Sequence, residues 1–198
     1  MRPDLTPLAL LAFAVGTTTG CQSAYTSVPS VVEGKAVYSL PFPVGDSARL
    51  IQGNNGPWGH SGAAAYAFDF IMPIGSPVTA ARGGQVVATE SRYLDHNRNP
   101  GQENYVVIRH SDGTFGRYYH LTKDGALVAV GEMVAQGDTI ARSGDTGASA
   151  GPHLHFDVTR GCAEWGCQTI AIRFANAGAD SLMQGHTYKA MPLSNVGN

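Results

Sequence analysis

The chain has 198 residues, of which 43% are hydrophobic and 14% charged, with 25 Gly and 11 Pro, a size and balance that suit one ordinary domain with its own core. That apolar fraction excludes a disordered tail protein, and the Gly and Pro load argues against a coiled coil or helical bundle. The formal net charge is −2 with His neutral, so no nucleic-acid partner is expected.

At the N-terminus, Arg2 precedes an apolar run from Leu8 to Val15 and then small residues from Gly16 to Gly20. Residues 1–20 read as a secretory signal peptide, the run being short for a membrane span. Cys21 follows directly and resembles the modified residue of the bacterial lipoprotein lipidation box, although Thr18 stands where that box has a large aliphatic residue. The expectation is export to the periplasm or outer surface, either tethered to a membrane through a lipidated Cys21 or cleaved nearby and soluble. Residues 21–35 are rich in Ser, Val and small residues without period, a flexible linker, and 36–198 is the domain. The sequence assigns no oligomeric state.

Along the domain, short segments alternate or run apolar between Gly and Pro punctuation. Ala65–Ile71, Ser76–Ala81, Gln85–Thr89, Tyr105–His110, Phe115–Leu121, Thr139–Ser143 and His153–Thr159 are predicted strands, rich in β-branched and aromatic residues at period two. The polar, turn-forming stretch Asp95–Glu103 is predicted to be a surface loop. Ala171–Ala179 is the best helix candidate and is short. The fold class is therefore mostly β, with antiparallel sheet.

A faint internal repeat supports this reading. Gly75-Ser-Pro-Val78 leads to Gly84-Gln-Val-Val87, and Gly131-Glu-Met-Val134 leads to Gly137-Asp-Thr-Ile140. The pattern is similar to the barrel-sandwich hammerhead of biotinyl and lipoyl carriers, but Lys35, Lys123 and Lys189 lack the hairpin-tip setting a carrier needs. Cys162 and Cys167 flank a short Gly-containing loop and are expected to close a small disulfide ring in an exported protein.

Chemistry concentrates in four places. In His153-Leu-His155, residues two apart on a strand share a face, so both imidazoles converge. The same rule puts Tyr118 and His120 on one face of Phe115–Leu121. His60 lies in a Gly-rich loop, and Asp69 sits between Phe68 and Phe70 on the opposite face of its strand, where a carboxylate needs a cation or a hydrogen-bond network. Alone, each motif has a plainer reading, as a paired surface histidine or a histidine bonded at a strand end.

Together the four segments resemble the lysostaphin-type (LytM-like) zinc endopeptidases, which cut peptidoglycan cross-bridges and have a duplicated hybrid motif fold. The resemblance rests on His60, Asp69, Met72-Pro-Ile-Gly-Ser-Pro-Val78, Tyr118-Tyr-His-Leu121 and Gly151-Pro-His-Leu-His-Phe156, and it runs from about residue 56 to 160. One departure stands out: many members space the first His and the Asp four apart, whereas here they are nine apart.

The resemblance implies that His60, Asp69 and His155 hold one Zn²⁺ with a fourth position left to water, a donor set that suits catalytic zinc. It implies that His120 and His153 flank the ion as proton acceptor and oxyanion or leaving-group partner, with His153 favoured as base. Tyr118 would line the substrate groove, His110 would be structural, and His96 and His186 would be surface residues. The implied substrate is peptidoglycan peptide, in stem or cross-bridge. The competing reading is a non-catalytic module of the same fold that binds wall or activates an amidase; such relatives lose metal ligands, whereas all five residues are present here.

Overall fold

The computed structural model describes residues 31–32 and 35–193. The expected signal peptide, Cys21 and most of the linker lie outside the described residues. Among the described residues there are fourteen strands: β1 (Val31–Val32), β2 (Lys35–Tyr38), β3 (Ser47–Gln52), β4 (Phe68–Ile71), β5 (Pro77–Thr79), β6 (Gly84–Glu90), β7 (Tyr105–Arg109), β8 (Thr114–Tyr119), β9 (Leu121–Ala126), β10 (Met133–Val134), β11 (Thr139–Ser143), β12 (His153–Arg160), β13 (Ile172–Phe174) and β14 (Thr187–Lys189). The only helical element among the described residues is a 3-10 turn at Gly62–Ala64.

Eight strands form one antiparallel sheet in the order β10-β6-β7-β8-β12-β4-β3-β14. A second sheet runs β5-β11-β9, and a third β1-β2-β13, in which β2 and β13 are parallel. The large sheet ends at β10 and β14, so the architecture is antiparallel β without being a closed barrel.

The expected repeat is visible as a reciprocal exchange of strands. The short strand of the first copy, β5, pairs with β11 of the second, while the short strand of the second, β10, pairs with β6 of the first. The hydrogen bonds match as well: Gly137 N donates to Ala80 O as Gly131 N donates to Val86 O, and Ala80 N donates to Asp138 O as Val86 N donates to Glu132 O. Each half completes the other's hydrogen bonding, which accounts for a repeat of Gly turns and inward valines.

The helix expected over Ala171–Ala179 is not there. Ile172 and Phe174 point into the core on either side of a half-buried Arg173, so period two prevails and the segment forms β13. Phe174 packs edge-on against Phe68 at 5.0 Å between centroids, and the Asn176 side chain then accepts from Leu40 N at 2.7 Å.

The core lies on one face of the central strands. Leu154, Phe156 and Val158 of β12 are fully buried beside Phe68, Phe70 and Tyr118. Phe156 meets Tyr118 at 5.0 Å and Phe174 at 5.9 Å; truncating such a ring to Ala costs about 3–5 kcal/mol. The alternate residues of the same strand, His153, His155 and Asp157, are also buried, on the opposite face. A strand with an apolar face anchored this firmly fixes the polar face to the same precision.

Candidate metal centre

Strand pairing sets the site. In the β12–β4 ladder His155 lies directly opposite Asp69, and its Nδ1 is 2.9 Å from Asp69 Oδ1. A bulge between Leu50 and Gln52 places Gln52 opposite Asp69 on the other side, where its amide donates to Asp69 Oδ2 at 3.0 Å. His60 Nε2 reaches Asp69 Oδ2 at 3.2 Å. One donor atom from each of His60, Asp69 and His155 lies within 4.8 Å of the others, and all three residues are buried.

The nine-residue spacing between His60 and Asp69 is taken up by a folded loop. Gln52 clamps it, donating to Trp58 O at 2.8 Å while its carbonyl accepts from Trp58 N at 2.6 Å. His60 Nδ1 donates to Gly53 O at 3.0 Å, which turns Nε2 inward. The 3-10 turn at Gly62–Ala64 absorbs further residues, and Thr169 ties it down by donating to Ala63 O from both its backbone N and its hydroxyl. Gln52 was not a sequence candidate; only the bulge brings it to the site.

Asp157 is a second residue that sequence reasoning missed. It bonds His155 Nε2 at 3.1 Å and receives a two-pronged ion pair from Arg117, 2.6 and 2.8 Å. Arg117 and Asp157 are register partners in β8 and β12, and Arg117 also donates to the carbonyl of Glu164. The signal was available: period two from His155 lands on Asp157. Burial disfavours charge on His155, but its bonds to Asp157 and Asp69 outweigh this and push its pKa up to about 9. For Asp69, burial is the largest single effect and opposes ionisation, yet His155 and His60 overcome it and hold the carboxyl well below the usual range.

The donor chemistry fits a divalent cation. Each imidazole has its outer nitrogen held, His60 by Gly53 O and His155 by Asp157, leaving one inward nitrogen apiece beside a carboxylate. Two imidazoles and a carboxylate with room for a fourth ligand are the donor set of catalytic zinc.

His120 and His153 come to the same place by different routes. His153 is on β12, and its Nδ1 donates to Gly151 O at 2.7 Å. His120 lies between β8 and β9, and its backbone adopts φ +62°, which breaks the predicted Phe115–Leu121 strand in two. The left-handed residue reverses the alternation: His120 faces the cleft, its ring 4.7 Å from that of His153, while Tyr118 faces the core. His120 Nδ1 donates to Thr146 O at 2.6 Å. Both rings therefore present Nε2 without a proton toward the cleft. Burial, reinforced by His153 and His155, pushes the pKa of His120 down to about 3.

Tyr118 consequently does not line the groove. It is fully buried, and its hydroxyl accepts from Ala81 N at 2.8 Å. Tyr119 takes the cleft side, 5.9 Å from His155 between ring centroids. A cavity of about 660 Å³ opens over His60, Asp69 and His155, with Trp58 and Trp165 among its walls, both well exposed. Cys162 and Cys167 are disulfide-bonded as expected, and their loop carries Trp165.

Residues 63–166, a little over half of the chain, match Peptidase family M23. The chain belongs to this family. His60 lies just before the matched stretch of the M23 domain, and Asp69, His120, His153 and His155 lie within it. Over 90 residues the chain is 44% identical to "Peptidoglycan DD-endopeptidase ShyA" of Vibrio cholerae, covering 46% of this chain and 19% of that protein. It is 40% identical over 101 residues to lysostaphin of Staphylococcus simulans, covering 50% of this chain and 19% of that protein. This M23 chain thus matches about a fifth of the length of these relatives. Among solved structures it is similar to a zinc-containing peptidase from Vibrio cholerae, with a TM-score of 0.50 and 28% identity, covering 69% of this chain and 39% of the other. The catalytic domain of the M23 protein EnpA from Enterococcus faecalis shares the fold, with a TM-score of 0.52 at 20% identity over 67% of this chain and 94% of that one.

In this M23 domain the remaining histidines sort as expected, with one refinement. His110 is buried away from the cleft, donating to Gly83 O at 2.9 Å and packing edge-on against Tyr38. His186 is exposed. His96 is exposed as well, but its Nδ1 lies 2.5 Å from the buried carboxylate of Asp145, which helps fasten the Asp95–Glu103 loop to the segment preceding His153.

Proposed function

We propose that the chain is an exported, zinc-dependent endopeptidase that hydrolyses peptide bonds of bacterial peptidoglycan, in the stem or the cross-bridge. The observation that carries this reading is the convergence of His60, Asp69 and His155 on one point at the base of a cleft, with two free imidazole nitrogens beside it. The peptidoglycan DD-endopeptidase and lysostaphin relatives support the substrate class.

His60 Nε2, Asp69 and His155 Nδ1 would hold one zinc ion, which when bound supplies Lewis acidity to the scissile carbonyl and to a water nucleophile. His153 acts as the general base: its Nε2 is free and lies 3.8 Å from Asp69 Oδ1, beside the reacting centre. Its Nδ1 bond to Gly151 O holds the ring in the accepting tautomer and steadies the imidazolium that forms. The proton then passes to the leaving amine, with His120 as the partner ring across the same space. Trp58 and Trp165 flank the peptide and restrict water around the scissile bond. Export rests on residues 1–20 and tethering on Cys21, as read from the sequence.

Zinc content of the purified protein and peptide release from purified sacculi test the proposal. Stoichiometric zinc and new peptide termini are expected. A metal-free protein, or a loaded one that releases nothing, would instead favour the wall-binding or amidase-activating module.

A further inference from the structure

A second cavity of about 520 Å³ lies beside the metal cleft, over the face of β6, β7 and β8. Period two supplies its floor: Tyr105 of β7 and Tyr119 of β8 are register partners with rings 5.6 Å apart. Trp165, edge-on to Tyr119 at 5.3 Å, forms one wall, and Tyr93 stands among the lining residues. Glu103, Ala148 and Trp165 line both cavities, so the second cavity adjoins the first along these three residues.

The charge on this second cavity is one-sided. Glu90, Glu103 and Glu164 are the acidic lining residues and Arg92 the single basic one. Arg92 is already engaged, 3.2 Å from Glu90 and stacked over the Tyr93 ring at 4.9 Å. Glu103 receives only backbone donors, Gly101 N at 3.2 Å and Ala148 N at 3.1 Å. Among the described residues no Lys or Arg side chain pairs with Glu103 or Glu164. Aromatic faces with uncompensated carboxylates attract a cation and repel an anion.

We propose that this second cavity is a specificity subsite for an ammonium-bearing residue of the same peptide whose scissile bond lies over the metal site. The inference rests on the peptidase reading for its occupant. The shared border at Glu103, Ala148 and Trp165 puts a further residue of the bound peptide within reach of this cavity, and the surplus of negative charge selects an amine over a carboxylate or a neutral side chain.

The test uses sacculus-derived peptide fragments with a free side-chain amine and the same fragments acetylated on that amine. Binding to zinc-loaded His153→Ala protein is read by calorimetry, and hydrolysis by the wild-type protein is read separately. Acetylation is expected to weaken binding by about tenfold, an effect that falls as salt rises. In Glu103→Gln/Glu164→Gln protein the ratio between the two fragments should approach one; Glu164→Gln alone alters only an exposed side chain and should move the ratio part of the way. Equal binding of both fragments by the parent protein, or undiminished discrimination by the Gln variants, would overturn the subsite. Absence of hydrolysis of either fragment by wild type would instead overturn the peptidase reading, and the binding ratio would still report on the subsite.

Discussion

Asp157 grips His155 from behind: its carboxylate lies 3.1 Å from Nε2, on the far side of the ring from Asp69. That contact holds the Nε2 proton on the outer side, so that Nδ1 is the nitrogen that would exchange its proton for a cation, and Asp157 is itself fixed by Arg117. A partner of this kind raises ligand basicity and orients the ring, and losing it costs about 10–100-fold in metal affinity. Asp157→Asn should therefore lose zinc to a competing chelator about 10–100-fold more readily than wild type. Asp69→Ala should retain no stoichiometric zinc, whereas His153→Ala should keep the metal and lose turnover by roughly 10²–10⁴. Equal zinc retention by Asp69→Ala and wild type would remove Asp69 from the ligand set.

Tyr118 offers a contrast between core and cleft. Its buried hydroxyl is the acceptor for Ala81 N, so Tyr118→Phe leaves a buried donor unpaired, a loss of about 1–3 kcal/mol. Chemical denaturation should show that loss while KM for wall peptides stays unchanged. A rise in KM without destabilisation would return this residue to the groove.

His110 makes stability depend on pH. Burial, aided by the neighbouring Arg82, pushes its pKa down to about 4 in the folded chain, whereas the unfolded chain binds the proton near the ordinary value of about 6.5. The stabilisation is fully present above about pH 6.5 and is lost as pH falls toward 4, reaching about 3 kcal/mol at the limit. His110→Asn keeps a donor for Gly83 O. The wild-type minus variant difference in unfolding free energy, measured in urea at several pH values, should shrink over that window; a constant difference would show that His110 does not titrate there.

The Cys162–Cys167 ring closes very little chain, so replacing both residues by Ser should cost only about 2 kcal/mol of global stability. Its local effect should be larger than its global one. The loop holds Trp165 against Tyr119 and presents Glu164 O to Arg117, so the double Ser variant should show a raised KM and a weaker hold on zinc. Unfolding of the whole domain on reduction would mean that the ring carries more of the fold than these contacts indicate.

Several features of the fold and site were legible because they depend on local period. His153 and His155 share a face on any strand, Asp69 between two core aromatics must point away from the core, and the duplicated Gly turns announce the paired halves. Where a single backbone residue changes the period, that reasoning stops: φ +62° at His120 sends Tyr118 inward and His120 to the cleft, and the bulge before Gln52 brings an unsuspected amide to Asp69. In Ala171–Ala179 the helical pattern was weaker than the core's demand for Ile172 and Phe174.

The sequence by itself determined which side chains can bind a cation and which strand faces they occupy, because residue chemistry and two-residue alternation are local properties. Only the tertiary structure decided that the loop between His60 and Asp69 folds back to bring the two together, that Arg117 clamps Asp157 from the neighbouring strand, and that two tryptophans border the cleft. Those outcomes depend on strand register, bulges and loop clamps between segments distant in the chain, and no local pattern encodes them.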